Sequence, residues 1–83
     1  MKKILVIGAG RSAVTLIKYL LDNSIANNWL VTVADFSIEL AEKAVANHTN
    51  GKAILFNVTY EIQRKSEIGN ADIVISCYLT LMN

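Results

Sequence analysis

Gly8-Ala9-Gly10-Arg11-Ser12-Ala13 constrains this chain more than any other feature, because these six residues join an apolar run to an amphipathic segment with almost no side chain between them. Residues 3–7 before the turn are short, β-branched and non-alternating, which fits a strand buried on both faces. After it, Ala13, Leu16, Ile17, Leu20 and Leu21 recur at three- and four-residue intervals, so residues 11–21 form a helix with one stripe toward a sheet. Lys18 and Asp22 face water. The spacing is that of G-x-G-x-x-G/A. There the first glycine allows a tight strand-to-helix turn, the second admits a diphosphate against the backbone, and the last small residue lets the helix pack closely on the sheet. Amides and aligned peptide dipoles at the helix start supply local positive potential.

The rest of the chain repeats the strand-helix alternation. Residues 23–28 are rich in asparagine, whose side chain competes for backbone hydrogen bonds, and residues 30–34 then read as a second strand ending at Asp35. Ser37 is a plausible N-cap for a second helix carrying Ile38, Ala41, Ala44 and Val45 on its apolar stripe, with Glu39 and Glu42 near its start. Asn50-Gly51 reads as a turn, residues 52–56 as a third strand, 59–67 as a third helix, and 72–76 as a fourth strand after a break at Gly69-Asn70. Strands separated by helices pair in parallel through right-handed crossovers. The expected fold is α/β, a partial Rossmann-like doubly wound sheet of order 3-2-1-4 with helices on both faces.

At 83 residues there is room for one domain, since compact domains run to about 100–150 residues. A composition that is 53% hydrophobic with no proline excludes disorder, and no apolar run approaches the roughly 20 residues of a membrane span. A net charge of +1 excludes general electrostatic attraction to nucleic acid or an anionic membrane. Any bound anion must be held locally. One cysteine and one histidine make neither a disulfide nor a zinc site, and residues 4–7 are too short for a signal h-region, so a cytoplasmic setting is expected.

A glycine pattern by itself is weak, because a strand-turn-helix connection selects glycine for backbone reasons alone. Context gives it weight here. Asp35 lies 22 residues beyond Ala13 at the end of the next strand, near the roughly 20-residue offset of an acid that accepts ribose hydroxyls. A 2′-phosphate there would meet a like charge, and Phe36, Ser37 and Ile38 offer no cation, so NAD is favoured over NADP. Asp35 has a competing role as a helix cap, for which Ser37 is better placed. Asn57 and Val58 end the third strand, either beside an adenine or as an ordinary turn. Ser76 ends the fourth, toward the pyrophosphate and nicotinamide side. Cys77 reads as a packing residue, His48 as surface and Trp29 as a packing anchor.

Taken together, residues 3–13, 31–35 and 71–76 resemble the amino-terminal nucleotide-binding segment of the saccharopine dehydrogenase family, bacterial members especially. The resemblance covers the whole chain but only the beginning of such an enzyme, so the substrate domain is expected to be absent. It implies NAD(P)-linked hydride transfer in lysine metabolism, with Gly8, Gly10, Arg11, Ser12 and Ala13 at the phosphates, Asp35 at the ribose, and Asn57 and Val58 near adenine. The family often has aspartate where this chain has Asn57. It also usually continues past the Ser76 position into a proline that this chain lacks. Alone, the segment is expected to bind cofactor without turnover, there being no identifiable acid-base pair. A second class is a regulatory nucleotide-sensing module of the potassium-uptake-regulator kind, which uses a similar turn and acid. The fourth strand is apolar on both faces, which predicts self-association through its outer edge.

Overall fold

The computed structural model describes residues 1–55, 65 and 68–76, with backbone only for residues 11 and 12. The elements are β1 (Lys2–Ile7), α1 (Arg11–Asp22), α2 (Ser24–Asn27), β2 (Trp29–Asp35), α3 (Ile38–Val45), β3 (Gly51–Leu55) and β4 (Ile73–Ser76). All strand pairs are parallel, in the order β3-β2-β1-β4. The expected partial Rossmann-like sheet is therefore the observed one.

β1 lies in the middle of the sheet and is buried on both faces from Ile4 to Ile7, as its unbroken apolar run requires. Ile4 and Val6 point to one side with Val31 and Val33, where Ala13, Ile17, Leu20 and Leu21 of α1 and Ala41 and Val45 of α3 cover them. Leu5, Ile7 and Ala34 point to the other side, packed with Ile54 and Ala71. Burying side chains such as Leu5, Ile17 and Val31 contributes about 1.5–3 kcal/mol each relative to exposure. Trp29 packs at the margin of the first cluster, the anchoring role expected of it. The described helices α1 and α3 share one face. The helix expected over residues 59–67 for the second face lies outside the described residues except for Lys65, whose backbone is helical.

Three local differences from the sequence reading have physical causes. Residues 23–28 are not a plain loop, since α2 forms within them. Asn23 and Asn27 donate their side-chain amides to Tyr19 O and Asn23 O, both at 2.8 Å, and buried Ser24 Oγ donates to Leu21 O at 2.7 Å. The same tendency that predicted a break here satisfies the carbonyls of one helix end and builds another short turn. The expected turn is present, closed by Gly51 N donating to His48 O at 3.0 Å, but Gly51 already opens β3, and the left-handed positions are Ala46 (φ 48°) and Asn47 (φ 58°) just after α3. Helical backbone also reaches Ile68 and Gly69, so the break falls at Asn70.

The amino end of β4 is fastened to β1. Asp72 N donates to Lys3 O at 2.8 Å while Asp72 Oδ2 accepts from Lys3 N at 2.7 Å. That pair fixes the register in which Ile4 opposes Ile73 and Ile7 opposes Ser76. Ile73 and Val74 remain exposed along this edge. Among the described residues no helix is long and apolar enough to cross a membrane.

Candidate functional site

The carboxyl ends of the strands bring Leu55, Asp35, Gly8 and Ser76 to one edge of the sheet. Register does this: Asp35 opposes Leu55, Ala34 opposes Ile7, and Ile7 opposes Ser76. In an open parallel sheet this edge, at the point between β1 and β4 where the strand order reverses, is where ligands bind. The predicted positions Gly8, Gly10, Ala13, Asp35 and Ser76 all lie at or beside it. Asn57 and Val58, the side chains of Arg11 and Ser12, and Cys77 lie outside the described residues.

The turn is built from β1 outward. Gly8 has φ 105°, a conformation that L side chains rarely adopt, and its N–H donates to Ala34 O at 2.7 Å. Ala9 is buried, and its N–H donates to Asp35 Oδ2 at 2.7 Å. Gly10 is the N-cap of α1 with φ −73° and ψ −176°, ordinary extended backbone. A Cβ added there would meet nothing within 4 Å. Neither conformation nor packing within the described residues calls for glycine at this position, and the space beside it is open. Ala13 is fully buried against the sheet, and its N–H donates to Gly10 O at 2.9 Å.

The two long helices begin differently. α3 starts conventionally, with Ser37 Oγ accepting from Leu40 N at 3.4 Å and Glu39 in the first turn. α1 has no side-chain cap and no acid in its first turn. Its positive dipole end therefore opens at the carboxyl edge without local compensation from its own sequence.

Asp35 is only 3% exposed. Besides the bond that its Oδ2 accepts from Ala9, its Oδ1 accepts from Ser37 N at 2.8 Å, and Ser37 in turn is the N-cap of α3. Each carboxylate oxygen keeps a further acceptor site. The sequence reading missed the bond to Ala9, for which no local pattern exists.

His48 is half-buried rather than fully at the surface. Its Nδ1 accepts from Asn50 N at 3.0 Å, just before β3 begins and so away from the carboxyl edge. Among the described residues no group of three or more histidine, cysteine, aspartate or glutamate side chains is placed to hold a metal.

A family model described as Shikimate / quinate 5-dehydrogenase matches residues 1–80. No curated protein matches the chain. The dehydrogenase-type NAD(P)-binding Rossmann segment expected from the sequence is thereby supported, while the family that matches is not saccharopine dehydrogenase. The match covers nearly all of the chain, and the chain belongs to the shikimate / quinate 5-dehydrogenase family.

Proposed function

We propose that this chain is the NAD-binding segment of an oxidoreductase that transfers hydride between the nicotinamide ring and a substrate alcohol. Gly8, Gly10, Arg11, Ser12 and Ala13 form the phosphate turn, Asp35 accepts the adenosine ribose hydroxyls, Asn57 and Val58 stand on the adenine side, and Ser76 borders the pyrophosphate and nicotinamide side. The observation carrying this reading is Gly10: open space where a side chain would be, at the uncapped start of a helix, beside a buried carboxylate. The nicotinamide supplies the hydride acceptor or donor. The chain's own residues bind and orient it.

Asp35 favours NAD, because a 2′-phosphate would face a buried like charge and the following Phe36, Ser37 and Ile38 bring no cation. Family membership favours a ring hydroxy acid of the shikimate or quinate kind as substrate over saccharopine and lysine metabolism. Turnover needs, besides the residues that hold the cofactor, a group that moves the substrate proton. A cytoplasmic setting and self-association through β4 complete the proposal.

Fluorescence titration tests it. NADH should bind, and NADPH should bind at least about tenfold more weakly. ATP or ADP binding as tight as NADH would favour a nucleotide-sensing module instead. No binding of NADH would contradict the proposal.

A further inference from the structure

Resting on the cofactor reading above, we infer that Asp35 is also the positioning residue of the phosphate turn: its carboxylate holds Ala9 so that the turn stays in the shape a diphosphate needs. Two consecutive amides of the turn are tied to the end of β2. Gly8 N–H goes to Ala34 O at 2.7 Å and Ala9 N–H to Asp35 Oδ2 at 2.7 Å. Ala9 sits between two glycines, the residues with the most backbone freedom to lose, so a turn of this composition needs an external tether to keep one conformation. The tether is of the strong kind. It is short, accepted by an ionised group and buried, and the other oxygen of the same carboxylate is fixed by Ser37 N at 2.8 Å, which prevents the side chain from swinging away.

A carboxylate that only clasped ribose could be replaced to change cofactor preference. One that also shapes the turn cannot. NADPH carries the same diphosphate as NADH and needs the same turn, so removing Asp35 lifts the repulsion of the 2′-phosphate while disordering the amides that both cofactors use. Asp35 substitutions should therefore lose NADH without gaining NADPH.

The test separates turn from ribose by removing the hydroxyls from the ligand. 2′,3′-Dideoxyadenosine diphosphate retains the diphosphate and has no ribose hydroxyl for Asp35 to accept. Asp35→Ala should weaken its binding by roughly tenfold or more, the effect of leaving a buried donor without its charged partner. NADPH should bind this variant no better than it binds the parent chain. Asp35→Asn keeps one acceptor oxygen for two backbone donors, Ala9 N–H and Ser37 N–H, so it should recover part of the dideoxy affinity lost in Asp35→Ala while remaining weak for NADH. The Ala9 amide proton of the parent chain should exchange slowly and resonate downfield.

Unchanged dideoxy affinity in Asp35→Ala, with NADH affinity reduced, would overturn the inference and leave the cofactor reading intact. An Ala9 amide exchanging as fast as an open loop in the parent chain would overturn it without any variant having to fold. A parent chain that binds neither NADH nor the dideoxy nucleotide would remove the cofactor reading itself.

Discussion

Gly8 and Gly10 are two identical letters with different causes. Gly8 is needed by the backbone, since φ 105° is strained for any residue with a Cβ. Gly8→Ala should cost about 1–2 kcal/mol of stability in urea denaturation, with or without ligand. Gly10 has an ordinary conformation and an empty neighbourhood. Because serine is a slightly better N-cap than glycine, Gly10→Ser should leave stability unchanged or raise it by roughly a few tenths of a kcal/mol. The same variant should bind NADH markedly less well. A Gly10→Ser chain that bound NADH as the parent does would show that no ligand approaches the backbone there. The spacing of the glycines and of Asp35 was legible in the sequence, since both are set by distances along the chain. The bond from Ala9 to Asp35 was not, because 26 positions separate the two and only the parallel register of β1 with β2 brings them together.

Among the elements, strands and long helices were readable from period and composition, while the connections between them were not. α2 has four residues, too few to show any helical period, and side-chain bonds from Asn23, Ser24 and Asn27 hold it together with the backbone bonds Asn27 N to Asn23 O at 3.1 Å and Asn28 N to Ile25 O at 3.3 Å. The end of α3 is a clearer case. The glycine stands at position 51, yet the left-handed C-cap conformation falls on Ala46. Gly51 serves a close approach instead: a Cβ there would lie 3.1 Å from Leu21 Cδ2 and from Val45 Cβ. Gly51→Ala should therefore destabilise by about 1–3 kcal/mol through crowding between β3 and the helices. Ala46→Gly should stabilise by roughly 0.5–1 kcal/mol, the left-handed penalty less the entropy of glycine. Denaturation midpoints of the two variants moving in the same direction would contradict this account of the loop.

For the molecule as a whole, the strand order followed from alternation and the handedness of crossovers, and both are properties of the chain's sequence pattern. The family was less legible than the fold, because the turn, the acid and the apolar strands are common to many nucleotide-binding segments, saccharopine and shikimate / quinate dehydrogenases among them. Among the described residues β4 is an outer strand of the sheet. Ile73 and Val74 of β4 are 42% and 39% exposed, an apolar strand margin of the kind that pairs with another chain. Sedimentation should show concentration-dependent dimers, and Val74→Lys should return the chain to monomer. A clean monomer at high concentration would contradict pairing through β4.

In the proposed function, main-chain amides after β1 hold a diphosphate while Asp35 holds the adjoining sugar. An amide-resolved magnetic resonance titration of the nitrogen-labelled chain with NADH reads it at the atoms concerned. The largest shifts should fall on residues 8–13 and 35–37, at the turn and the end of β2. Shifts absent there, or confined to Val14, Lys18, Leu40 and Lys43 in the groove between α1 and α3, would contradict it.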